Sequence, residues 1–206
     1  VRSEEINLRK TELKALQAQI NPHFLYNTLD CMKWLGVANH VPQIAAMSTD
    51  LAALLRAGIS GSELIPLEDE LELVRQYLNI QEIRFEDRFV CEIDVDERFQ
   101  HCIVPKMVLQ PLVENAIIHG VADLEEGYIK LWAESDGDDL LLRVSDNGRG
   151  IEPEVLARLA RHEDIPGGHL GLNNVDRIIR LYYGEGYGLT AASDGGNGSC
   201  ITLRLP

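Results

Sequence analysis

His23 stands in the stretch Gln19-Ile-Asn-Pro-His-Phe-Leu-Tyr-Asn27, where an imidazole could serve as a nucleophile. Pro22 removes a backbone donor and frees the carbonyl about one turn earlier. His23 lies at the edge of an apolar stripe beside Ile20 and Phe24. A ring so placed can be partly exposed, neutral near pH 7 and nucleophilic at one nitrogen. The same residues also make an ordinary helix start, with Asn21 as the cap and Pro22 first. In a second stretch, Gln110-Pro-Leu-Val-Glu-Asn-Ala-Ile-Ile-His-Gly120, Asn115 and His119 are four apart and share a helix face. An amide oxygen can ligate Mg²⁺ and a histidine can reach phosphate oxygens, although a polar stripe on an amphipathic helix reads the same way. The third stretch, Val144-Ser-Asp-Asn-Gly-Arg-Gly-Ile151, is followed by Gly167-Gly-His-Leu-Gly-Leu-Asn173. There Asp146 can accept a hydrogen bond from an adenine amino group, and Gly148 and Gly150 let the backbone approach a nucleotide. The later glycines stand before a helix, where free N–H groups favour phosphate. Taken singly, Asp-Asn-Gly is also a good turn.

The elements that must hold these residues follow from periodicity. Leu13, Leu16, Ile20, Phe24, Asn27 and Trp34 fall on one side of a helix at about 100° per residue. A second helix is predicted over residues 41–57, with Ile44, Met47, Leu51, Leu54 and Leu55 on its apolar side. The short connection through Gly36, Asn39 and Pro42 favours a hairpin. Such a hairpin cannot bury both apolar faces alone, so pairing with a second copy into a four-helix bundle completes it. After a break at Gly58-Ile-Ser-Gly-Ser62, a connecting helix is predicted over 67–85, with Leu71, Val74, Leu78 and Ile83 on its apolar side. The texture then changes. Strands are expected over 90–95, 128–134, 139–145, 187–192 and 199–205, and helices over 104–121, 153–161 and 172–183. Pro105 suits a first turn, whereas Pro111 is awkward inside a helix. The mixture predicts an α+β sandwich, one layer of helices on a largely antiparallel sheet. The expected division is 1–62 for the hairpin, 63–88 for the connecting helix and 89–206 for the second domain.

Composition narrows the function classes. With 206 residues, 45% hydrophobic and 25% charged, the chain can form a sizeable core and does not read as disordered. A formal net charge of −14 carries no basic footprint for nucleic acid. No apolar run approaches the roughly 20 residues of a membrane span. Cys31, Cys91, Cys102 and Cys200 are scattered, so free thiols are expected rather than a disulfide framework or a zinc site. His101 beside Cys102 lacks further ligands at suitable spacing. The P-loop motif is absent, as are the His-Arg-Asp and Asp-Phe-Gly motifs of Ser/Thr/Tyr kinases. The charged start resembles a fragment of something longer.

Order and spacing carry more than any single stretch. The asparagine helix, the strand ending in Asp-x-Gly-x-Gly, the glycine-led helix and Gly195-Gly-Asn-Gly-Ser199 resemble the N, G1, G2 and G3 boxes. Those boxes mark the GHKL ATP-binding fold of histidine kinases, DNA gyrase, the Hsp90 chaperone and MutL. Asn-Pro-His-Phe-Leu-Tyr-Asn resembles the phosphoacceptor box of LytS/YesM-like sensor histidine kinases of two-component systems. The resemblance spans residues 13–206.

The resemblance implies that His23 is the phosphoacceptor, Asn115 the Mg²⁺ ligand and His119 a phosphate contact. It implies that Asp146 reads adenine, with Gly148 and Gly150 in G1, Gly168, Gly171 and Leu172 in G2, and Ser199 near the adenine. Residues 152–166 would form a mobile lid over ATP. ATP and Mg²⁺ are the implied cofactors and an aspartate of a response-regulator receiver domain the implied acceptor. A homodimer is implied too, cytoplasmic and attached to the membrane only through segments absent from this chain. Three departures stand out. Phe24 follows the histidine where many histidine kinases carry an acidic residue, leaving Glu114 as a candidate base. His169 and Leu170 replace part of a more glycine-rich run. Pro111 stands where hydrolytic relatives place a water-activating glutamate, which favours transfer to a protein nucleophile. Two other readings use the same boxes: a non-catalytic nucleotide-binding module, and a serine kinase of the anti-sigma type, which needs no phosphoacceptor histidine.

Overall fold

Pro22 opens the first helix, at a position where its missing N–H costs nothing. The computed structural model describes residues 22–59, 61–86, 88–165, 169–193 and 196–206. Leu13, Leu16 and Ile20 of the predicted stripe, and Gly167, Gly168 and Gly195 of the glycine segments, lie outside the described residues. Helix α1 is Pro22–Ala38 and helix α2 is Pro42–Ile59. Between them Asn39 donates its side-chain amide to the Leu35 carbonyl at 2.8 Å, and His40 turns the chain at φ 57°. Leu29, Gly36, Ser48 and Leu54 are buried in the hairpin. The predicted stripe points elsewhere: Phe24 is 65% exposed and Trp34 67%, with Met32, Leu35, Ile44 and Leu51 also exposed.

The chain divides into two compact units, one ending at Gly61 and one from Ser62 to Pro206. The second begins with strand β1, Leu64–Pro66, and helix α3, Leu67–Arg84. Leu67, Leu71, Val74 and Leu78 of α3 are buried within it. Strand β2 is Phe89–Asp94 and strand β3, Ile103–Pro105, pairs antiparallel with β1. Helix α4, Gln110–Asn115, continues as a π turn over Ala116–Val121. Strands β4, Gly127–Asp136, and β5, Asp139–Asp146, form a hairpin. Helices α5, Pro153–Ala160, and α6, Leu170–Tyr183, precede strands β6, Gly188–Ser193, and β7, Ser199–Leu205.

The main sheet has five strands in the order β2-β4-β5-β7-β6; only the β2–β4 pair is parallel. Alternation decides its faces. Ile129, Leu131, Leu142, Val144, Ile201 and Leu203 are at most 2% exposed. With Val113 from α4, Ile117 from the π turn and Val175 and Ile179 from α6 they make up the core. Each such side chain contributes about 1.5–3 kcal/mol on burial. The interleaved residues, Lys130, Trp132, Arg143, Thr202 and Arg204, are only partly buried, as expected for a sheet with one wet face. The result is the expected helical hairpin followed by a two-layer α+β sandwich.

Two local expectations are corrected. Residues 103–105 form a strand, and α4 starts only at Gln110, so Pro111 falls in its first turn and no longer interrupts a helix. Strands β1 and β3 were not legible, because each has three residues and ends in proline, too short for alternation to register.

Candidate nucleotide-binding site

A buried carboxylate sets the start of α4. Glu70 of α3 is fully buried, and its two oxygens accept the backbone N–H groups of Met107 at 2.7 Å and Leu109 at 2.8 Å. Those donors would otherwise be orphans at a helix start without a side-chain cap. Burial pushes the Glu70 pKa up, against the opposing pull of these backbone groups and Lys106. The grip holds Met107 in a left-handed turn at φ 60°.

Asn115 then lies at the end of the α-helical stretch, 7% exposed, and His119 in the π turn is half-buried. Wide turns of this kind recur at functional sites, because they re-aim side chains without ending the helix. The Oδ1 of Asn115 is 3.0 Å from Nδ1 of His169, just before α6. The His119 and His169 rings lie against each other at 4.4 Å between centroids, tilted by 33°. Burial and the Arg149 guanidinium lower the pKa of His119; burial, His119 and Arg149 lower that of His169. Both rings are therefore neutral at neutral pH.

Asp146 ends β5 and is 9% exposed. One of its oxygens accepts the Gly148 N–H at 2.8 Å and the other the Ser199 hydroxyl at 2.5 Å. A carboxylate oxygen has further acceptor capacity, so these bonds orient Asp146 without exhausting it. Gly148 is glycine for a reason the sequence did not give: a Cβ there would lie 2.2 Å from the Gly120 carbonyl oxygen. The end of the π turn and the loop after β5 thus meet backbone to backbone. Gly150 takes φ 79°, and a side chain on it would reach the Ser193 hydroxyl. Arg149, between the two glycines, donates its Nε to the His119 carbonyl at 2.8 Å.

These parts border a cavity of about 680 Å³. Asn115, His119, Gly120, Arg149, Gly150, His169, Leu172 and Ser199 line one part of it, and residues 151–155, Arg158 and Leu159 the other. Asp146 is not among the lining residues; it lies behind Gly120 and Ser199, which are. Gly171 packs in the first turn of α6 against Pro111, and Gly168 is outside the described residues. The segment over the cavity contains α5 and is tied down at its far end. Asn173 of α6 accepts the Ile165 N–H and donates to the Ile165 carbonyl, both at 3.0 Å, and His162 meets Asp176 at 3.1 Å. Among the described residues no group of three or more His, Cys, Asp or Glu side chains could hold a metal ion.

His23 belongs to the other unit. It lies in the first turn of α1, exposed, with the Asn27 amide 3.2 Å from its Nδ1. Glu114 is exposed and is not among the cavity's lining residues. The sequence reading missed Arg149 and Arg158 as cations at the cavity. Arg149 had a signal, lying inside Asp-Asn-Gly-Arg-Gly, whereas Arg158 had none. All four cysteines are free, and no helix among the described residues is long and apolar enough to cross a membrane.

Residues 103–206 match the histidine kinase-, DNA gyrase B- and HSP90-like ATPase family, and residues 11–89 match the histidine kinase family. The chain belongs to the histidine kinases. It is 38% identical over 205 residues to the sensor histidine kinase YesM of Bacillus subtilis, covering 98% of this chain and 34% of that protein. Against the sensor histidine kinase BtsS of Escherichia coli the identity is 34% over 201 residues, covering 97% of this chain and 34% of the relative. The chain thus spans about a third of the length of these curated relatives. In fold, the sandwich is similar to the catalytic domain of the histidine kinase ThkA, with a TM-score of 0.55 at 20% identity. That match covers 69% of this chain and 93% of the other.

Proposed function

We propose that this histidine kinase transfers the γ-phosphoryl group of ATP to His23, and from there to an aspartate of a response-regulator receiver domain. One observation carries the reading. A cavity of nucleotide size, bordered by Asn115, His119 and the Ser199 that is bonded to Asp146, shares a chain with an exposed histidine at the head of a helical hairpin. The hairpin is the dimerisation and phosphotransfer domain, and its exposed apolar side chains meet a second copy. The parent protein is membrane-anchored, with this portion in the cytoplasm.

The site suits the substrate. Asp146, oriented by Gly148 and Ser199, accepts the adenine amino group. Arg149 brings positive charge to the cavity for the phosphates, whereas Arg158 is paired with Glu154 at 3.2 Å, and His119 offers a neutral ring nitrogen. Asn115, which lines the cavity, offers a single amide oxygen to Mg²⁺, an ion that keeps water and phosphate ligands. Mg²⁺, when bound, supplies charge neutralisation to the phosphates. Phosphoryl transfer asks mainly for positioning and such neutralisation. The Asn27 NH₂ lies 3.2 Å from Nδ1 of His23, and the nucleophile is the lone pair of the ring nitrogen that carries no proton. That lone pair forms the N–P bond as the bond to the leaving ADP oxygen breaks. Pro111 offers no carboxylate to activate water.

Incubation with γ-labelled ATP and Mg²⁺ should give an acid-labile, alkali-stable phosphoprotein, and His23→Gln should abolish it. Label persisting in that variant would sink the assignment of His23. Asp146→Asn should instead weaken ATP binding by tenfold or more, on the order of one lost charged hydrogen bond.

A further inference from the structure

A side-chain amide can present either of two ends. Turned one way Asn115 offers an oxygen to a cation; turned the other it offers an NH₂ that repels one. Its position at the end of α4 does not decide between them, because α4 fixes the Cα–Cβ direction and leaves the terminal amide torsion broad. Its polar neighbour is the His169 ring, with Nδ1 3.0 Å from Oδ1. An imidazole carrying its proton on Nδ1 donates to an oxygen there and would oppose an NH₂ in the same place. An amide oxygen has two lone pairs, so one bond from the ring leaves the other free for a cation.

The ring is itself held in place. His119 lies against one side of it at 4.4 Å, and the turn that follows it is seated by Gly171 on Pro111 of the helix that bears Asn115. We propose that His169 is a positioning residue that locks the Asn115 amide with its oxygen toward the divalent cation. This rests on Asn115 being the metal ligand, as read above. Outer partners of this kind commonly orient metal ligands, and their loss costs about 10–100-fold in metal affinity.

The test is calorimetric titration of ATP into the whole chain, once with Mg²⁺ and once with EDTA, for wild type, Asn115→Ala, His169→Leu and His169→Asn. The ratio of the two affinities reads the metal's share. His169→Leu should cut that ratio by about tenfold. His169→Asn, whose side-chain N–H stands close to the place of Nδ1, should keep most of the ratio. An unchanged or increased ratio in His169→Leu, alongside a collapsed one in Asn115→Ala, overturns the lock but leaves Asn115 as ligand. An unchanged ratio in Asn115→Ala overturns the ligand reading itself. The wild-type ¹⁵N shifts of the His169 ring need no variant: a protonated Nδ1 supports the lock and a bare Nδ1 overturns it.

Discussion

Gly148 and Gly120 leave each other no room, and that contact sets the tightest constraint at the level of single residues. Gly148→Ala places a methyl 2.2 Å from the Gly120 carbonyl oxygen, against backbone that cannot swing aside. The expected outcome is a loss of about 1–3 kcal/mol or more in unfolding free energy, with ATP affinity lost as well, read by denaturant titration and calorimetry. A sequence shows glycines but not which of their reasons applies. Gly148 was read as clearance for a nucleotide, and the structure adds a clearance for the end of the π turn. The cysteines offer a second check. Burial pushes the Cys91 thiol up to about 12, while Cys31 is exposed. Iodoacetamide at pH 8 should therefore alkylate Cys31 well before Cys91. The folded state penalises the Cys91 thiolate and the unfolded chain does not. Its contribution to stability is thus full below the unfolded thiol pKa and is lost as pH rises from there toward 12.

At the scale of elements, two polar clamps hold what periodicity cannot place. Glu70 ties α3 to the start of α4, and Asn173 ties the segment over the cavity to α6. Glu70→Gln puts an NH₂ against one of two buried backbone donors, so unfolding free energy should fall by about 1–3 kcal/mol in a thermal melt. Asn173→Ala releases both backbone groups of Ile165. Hydrogen exchange should then accelerate across 152–165 while the sheet amides stay protected. Long amphipathic helices and β7 were legible in the sequence, since their burial alternates at the expected period. The turn at Met107, strands β1 and β3 and the late start of α4 were not. The turn and the late helix start depend on a carboxylate 37 residues away in the chain, a non-local contact that no local pattern encodes, and β1 and β3 are too short for alternation to register.

For the whole molecule, the division at Gly61 and Ser62 separates a unit with a full core from one whose described residues bury few apolar side chains. The fragment 62–206 should fold alone and bind ATP as the whole chain does, yet take no label from γ-labelled ATP. The hairpin is the opposite case, with Phe24 and Trp34 about two-thirds exposed. A charge at the centre of that surface, Trp34→Asp, should shift the chain from dimer to monomer in sedimentation velocity and remove most autophosphorylation.

The π turn over Ala116–Val121 bears on how this segment can change length. A π turn holds one residue more than the α turn that would replace it, so a single deletion there heals into regular helix. The residues beyond it would be wound round by about 100°. Gly120 would leave its seat against Gly148, and Asp146 would lose the wall that encloses it. Substitutions on the outer side of the turn, such as at the exposed Ile118, are thus tolerable where a one-residue deletion is not. Over an evolutionary lineage the count of residues between Asn115 and Gly120 is constrained more tightly than the identity of those that face outward.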